Sequence, residues 1–225
     1  GVAKGIERSL SEGLVSRSEL FITTKVFPGN EIWGQSQKTF DDVTESLDNS
    51  LKRLKLEYVD LYLIHSAHAN KTRIEQWKAL LELKSMGKIT YAGVANWNIK
   101  HLQEINDADL PLPDTNQIEL HPWAQQPELV EYLQNNNVHI IAYSSLVPLS
   151  TWRKKDGENS LKTKDMENEG SSVESLFKTL ANKYNVKESQ ILLQWALQLK
   201  YAILPKTIKI ARLQENFQFS FVIEK

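Results

Sequence analysis

Six short apolar runs in this chain each end in side chains able to do chemistry. Phe21-Ile22-Thr23-Thr24-Lys25 ends in an amine, and Val59-Asp60-Leu61-Tyr62-Leu63-Ile64-His65 ends in an imidazole. Ala92-Gly93-Val94-Ala95-Asn96 closes on a carboxamide, and Thr115-Asn116-Gln117-Ile118-Glu119-Leu120 opens on two, with His121-Pro122 behind it. Ile140-Ile141-Ala142-Tyr143-Ser144 ends in a ring and a hydroxyl, and Ala202-Ile203-Leu204-Pro205-Lys206 ends in a second amine. Polar groups at a strand's edge can face a ligand without burying an unpaired amide. Six runs with the same design predict a parallel barrel with one active face.

The segments between these runs read as the helices that would position them. Residues 1–12 carry Val2, Ile6 and Leu10 on one helical face. Asp41 to Leu54 is amphipathic, with Val43, Leu47, Leu51 and Leu54 at helical spacing. Thr72 to Met86 presents Ile74, Trp77 and Leu81 inward and stops at Gly87, a C′ residue. Helices follow near 98–107, from Pro127 to about Asn135, at about 172–184 and 188–199, and near 210–216. The strands are expected at 21–26, 59–65, 89–95, 115–120, 138–144 and 202–205. A parallel crossover needs a helix of this kind between strands. Residues 146–172 are polar and charged and read as a long surface loop, in position to act as a lid because it follows a strand's C-terminal end.

Composition narrows the classes. The 225 residues suffice for one large domain, with no repeat or linker visible. Charge is balanced, 27 Lys+Arg against 28 Asp+Glu, which gives no reason to expect nucleic acid or a membrane surface as partner. No cysteine is present, so disulfides and thiolate chemistry are excluded. No apolar run approaches the roughly 20 residues of a membrane span, and a cytoplasmic setting fits. A closed barrel of this kind takes eight strands. The six found here, an opening helix with no strand before it and a first residue Gly1 together predict a deficit at the N-terminus.

Phe21 to Lys25, Leu61 to His65, Gly93 to Trp97, Asn116 to Pro122, Ala142 to Ser144 and Leu204 to Asn216 resemble, in order and spacing, the aldo-keto reductases. The resemblance covers essentially the whole chain. It implies an α/β fold, a TIM (β/α)8 barrel with about six of its eight strands present, and residues 1–225 as a single domain truncated at both ends. It also implies NADPH-dependent reduction of aldehydes and ketones to alcohols, with a small carbonyl compound as substrate, no metal and a monomeric state. Lys25 matches the catalytic lysine and His65 the catalytic histidine. The family's aspartate and tyrosine would precede Gly1, which predicts impaired turnover. After Phe217 the family carries a further helix and tail, whereas this chain stops at Lys225.

The same resemblance assigns the cofactor contacts. Asn96 and Gln117 match the amides that hold the nicotinamide carboxamide, and Tyr143 matches the ring that stacks on the nicotinamide. Ser144 and Leu146 match the pyrophosphate strand end. Lys206, Thr207 and Arg212 match the clamp on the adenosine 2′-phosphate, and Glu215 and Asn216 match adenine contacts. Trp33 is expected to touch substrate, and Trp97, Trp123 and Trp152 to supply apolar walls. Ala95 stands where the family often has serine, and Ser66-Ala67 stands where many members have tryptophan and proline. His68, His101 and His139 read as solvated or capping residues. Two other functions compete. One is a nucleotide-binding barrel without turnover. The other is a metal-dependent hydrolase on His65-Ser66-Ala67-His68, which lacks the further ligands a metal site needs.

Overall fold

The apolar runs form six strands, and the computed structural model describes residues 1–149 and 176–224. The strands are β1 (Thr23–Val26), β2 (Val59–Ile64), β3 (Ile89–Ala95), β4 (Thr115–Glu119), β5 (His139–Tyr143) and β6 (Ala202–Ile203). They belong to one sheet in chain order. The helices are α1 (Val2–Ser11), α2 (Phe40–Leu54), α3 (Arg73–Ser85), α4 (Ile99–Asp107), α5 (Pro127–Asn135), the helical residues 176–184 (α6), α7 (Glu188–Gln198) and α8 (Ile210–Glu215). At least one helix separates each strand from the next, as parallel pairing requires. The fold is α/β, the architecture expected from the sequence. Most of the 146–172 loop and Trp152 lie outside the described residues.

Contacts divide the chain into two compact units: residues 1–117 with 132–139, and residues 118–131 with 140–225. In the first unit β1 pairs with β2, β2 with β3 and β3 with β4, all parallel. His139, the first residue of β5, donates from its N–H to the Asp114 carbonyl (3.0 Å). Leu61, Leu63, Val43, Leu47, Trp77, Leu80, Leu102 and Ile105 are buried together with these strands. Gly93 has no room for a side chain, because a Cβ would lie 2.6 Å from both Leu63 Cδ2 and Thr115 Cγ2. In the second unit β5 pairs with β6 through Ile141–Ala202 and Ala142–Ile203. Its core joins Phe177, Ala181, Ile191 and Leu192 with Trp123 and Leu146 against them.

Local chemistry sets the element ends. Thr39 and Asp42 form a capping box at the start of α2. Gly87 takes φ +72° just past α3, as its C′ position requires. Strand β1 starts at Thr23 rather than residue 21, since the Ile22 N–H is taken by the Asp60 carboxylate (2.7 Å). Strand β6 has two residues rather than four, since Pro205 offers no donor to continue a ladder.

Two expected helix faces differ. Val2 is 71% exposed, and only Ile6 of α1 is buried. On α3, Trp77 is buried, but Ile74 and Leu81 are only half-buried; Arg73, Gln76, Ala79, Leu80 and Leu83 complete the inner face. The Gln76 amide donates to the carbonyls of Pro28 (3.0 Å) and Lys38 (2.9 Å), so a polar residue can be fully buried there.

Candidate functional site

In the first unit, parallel register places the functional tips at neighbouring strand ends. Lys25 lies opposite Leu63 in β2, two residues before His65. The His65 N–H donates to the Val26 carbonyl (2.9 Å), which fixes the turn just after β2 against the end of β1. Asn96 follows β3 with φ +59°, in the left-handed region that asparagine tolerates. Its N–H donates to the Gln117 carbonyl (3.0 Å), and its Nδ2 donates to the His65 carbonyl (3.2 Å). Lys25, His65 and Asn96 thus lie at the C-terminal ends of three adjacent strands, with Gln117 in the middle of β4, paired with Ala95.

The electrostatics suit a donor site. Burial lowers the pKa of the half-buried Lys25 ammonium, and no carboxylate pairs with it among the described residues. Burial, and then the positive charge of Lys25, lowers the pKa of His65. The imidazole is therefore neutral at pH 7 and can donate a ring N–H. The two carboxamides of β4 point to opposite faces, as alternate residues of a strand must. Asn116 is structural: its Nδ2 donates to the Trp97 carbonyl (2.8 Å). Gln117 is 5% exposed, and its amide has no partner among the described residues. That leaves a pre-set donor and acceptor for a ligand amide.

Trp33 lies on a short turn, Glu31–Trp33, capped by the Asn30 side chain. It is 63% exposed and stacks on Phe27, with ring centroids 6.1 Å apart. Phe27 in turn meets the His65 ring edge-on at 6.3 Å. Sequence reasoning missed Phe27, whose apolar side chain carries no signal of its own. Trp97, expected as a pocket wall, is fully buried, with its ring against His101 and under the Arg73 guanidinium. Trp123 packs on Phe177. His101 caps α4, as expected: its Nδ1 accepts from the Asn98 N–H (3.2 Å). Among the described residues no group of three or more His, Cys, Asp or Glu side chains could hold a metal ion. None of the described helices is long and apolar enough to cross a membrane.

In the second unit, Tyr143 ends β5 and is half-buried, and Ser144 follows with φ +60°. The Ser144 carbonyl accepts from the Val147 N–H (2.9 Å), which tightens the turn after the strand, while Leu146 packs into this unit's core. Lys206 and Arg212 are exposed and form no ion pair among the described residues. Thr207 Oγ1 accepts from the Lys209 N–H (3.1 Å). Glu215 ends α8 and Asn216 caps it; the Glu215 carbonyl accepts from the Gln190 amide (3.1 Å). These residues occupy two places, one after β5 and one after β6 and along α8.

The pattern of the aldo/keto reductase family matches residues 3–225. Methylglyoxal reductase DkgA of Yersinia pestis is 35% identical over 224 residues, 99% of this chain and 71% of that protein. The glyoxal reductase of Bacillus subtilis is 34% identical over 214 residues, 95% of this chain and 67% of that protein. Among solved structures, a Bombyx mori aldo-keto reductase in complex with NADP superposes with a TM-score of 0.81 at 28% identity, covering 99% of this chain and 70% of that one. An aldo-keto reductase from Brucella melitensis gives 0.78, also at 28% identity, over 99% of this chain and 75% of that one. The six parallel strands are those of an incomplete TIM barrel, and the chain belongs to the aldo/keto reductase family of NADP-dependent oxidoreductases.

Proposed function

We propose that this chain reduces small aldehydes and 2-oxoaldehydes to alcohols with NADPH, and that Lys25 and His65 act on the carbonyl oxygen. One observation carries the reading: Lys25 lies in β1 and His65 directly follows the paired strand β2, where burial and then the Lys25 charge lower the His65 pKa. A neutral His65 donates its ring N–H to the carbonyl oxygen and stabilises the negative charge that develops there. Lys25 adds a positive field from a half-buried position, where screening by water is weaker than at the surface. Trp33 supplies an apolar wall for the substrate.

The residues also fit the cofactor. The buried Gln117 amide, unpartnered among the described residues, matches a carboxamide, and Asn96 adds a second amide beside it. In the second unit Tyr143 offers a ring face to the nicotinamide, and Ser144 and Leu146 the turn for the pyrophosphate. Lys206, Thr207 and Arg212 would take the 2′-phosphate, and Glu215 and Asn216 the adenine. Two cations on one phosphate favour NADPH over NADH. NADPH, when bound, would supply the hydride to the carbonyl carbon, and the alkoxide held by His65 would take up a proton from water to give the alcohol.

Titration of tryptophan fluorescence with the two nucleotides tests this. NADPH is expected to quench in the micromolar range and to bind more tightly than NADH. Lys206→Met is expected to weaken NADPH binding by about tenfold, one charge-assisted contact, and to leave NADH nearly unchanged. No NADPH binding in a sample shown to be folded would overturn the proposal.

A further inference from the structure

A cleft of about 470 Å³ opens in the first unit beside the turn that follows β2, and it reaches Asn96. Its lining includes Asn30, Ser66, Ala67, His68 and His101. The one lining side chain with a fixed charge is Glu31, which pairs with Lys71 at 3.0 Å. Ser66 is 9% exposed, and its hydroxyl has no partner among the described residues. The His101 tautomer is set by its cap. Nδ1 accepts from the Asn98 N–H, so a neutral ring carries its hydrogen on Nε2. Trp33 lies against the His68 ring at 5.5 Å, on the side of the cleft nearest Phe27 and His65.

The wall is held in place by a buried cation. Arg73 donates from Nη2 (2.7 Å) and Nε (3.2 Å) to the Ala67 carbonyl, between Ser66 and His68. Its other arm is paired with the Glu104 carboxylate, and its plane lies 5.7 Å from the centre of the Trp97 ring. A guanidinium with both ends committed fixes the backbone it holds.

We propose that this cleft is a specificity subsite for the uncharged, hydroxyl-bearing end of the carbonyl substrate. Ser66, His68 and His101 are its hydrogen-bonding groups, and Arg73 is the positioning residue that holds its wall. The inference rests on the carbonyl-reduction reading for the substrate's other end. A hydroxyl both donates and accepts, as Ser66 and the imidazoles do. An apolar chain would leave the buried Ser66 hydroxyl without a partner, which costs free energy. An anion would meet Glu31, with Lys71 already committed to that carboxylate.

Two readouts test it, one independent of turnover. In saturation-transfer NMR, threitol is expected to receive magnetisation from the wild-type protein and 1-butanol much less, and Ser66→Val and His68→Phe are each expected to abolish the difference. Equal transfer to both alcohols, or variants that behave like wild type, would overturn the proposal. With NADPH, the ratio of kcat/KM for glyceraldehyde over propanal is expected to fall about tenfold in each variant, the loss of one good hydrogen bond. An unchanged ratio would count against the subsite. Arg73→Lys is expected to raise KM for glyceraldehyde with kcat near the wild-type value, whereas a fall in kcat alone would remove its positioning role. Selective threitol binding without turnover of either aldehyde would support the cleft's chemistry while overturning the reductase reading.

Discussion

Burial and the charge of Lys25 both act on the protonation of His65, and that influence can be measured one residue at a time. An imidazole in an unfolded chain titrates near 6.5, and burial with the Lys25 charge holds His65 below that value in the folded protein. As pH falls, the unfolded chain therefore takes up its proton first. The stability tied to neutral His65 is complete above about 6.5 and is lost as pH drops through the folded pKa. In a ¹H–¹⁵N NMR titration, Lys25→Met should move the His65 midpoint upward and still leave it below 6.5, because burial is the larger cause. An unchanged midpoint would show that the two groups do not interact. His65→Ala should cut kcat/KM for methylglyoxal by about 10²–10³-fold, the usual effect of losing one oxyanion donor.

Elements were legible where one local rule decides them and illegible where a distant partner does. The apolar runs of β2, β3 and β5, the proline at the start of α5 and the glycine after α3 all carry their own signal. The inner face of α3 does not. Arg73 and Gln76 look solvent-facing, yet their partners are carbonyls of other segments. The same holds for Gln190, Gln194 and Gln198, one helical turn apart on α7. Their amides bind the carbonyls of Gln218, Phe221 and Ile223 and so pin the segment after α8. Gln76→Leu should therefore cost about 1–3 kcal/mol in urea unfolding, since the Lys38 carbonyl loses this donor and the Pro28 carbonyl keeps only the Lys38 N–H. Gly93→Ala should cost a similar 1–3 kcal/mol, because a methyl must displace Leu63 or Thr115 between β2 and β4. A neutral result for Gly93→Ala would mean that the sheet relaxes freely there.

For the molecule as a whole, order and spacing of the six runs were enough to identify the family, since each run carries functional side chains in the family's order. The division into two units was not visible, because β4 and α5 each contribute residues to both and no linker marks the boundary. The cleft beside Ser66 was also hidden: its lining comes from turns far apart in sequence, and only the altered Ser66-Ala67 pair hinted at it. The central claim is that this chain moves hydride from NADPH to a carbonyl carbon with help from Lys25 and His65. The most direct measurement is deuterium transfer from NADPH labelled at the nicotinamide C4 to methylglyoxal, read by mass spectrometry of the alcohol. Label in the product with the wild-type chain, and its near-absence with His65→Ala under the same conditions, is the predicted result. An unlabelled product, or equal labelling by both proteins, would contradict it.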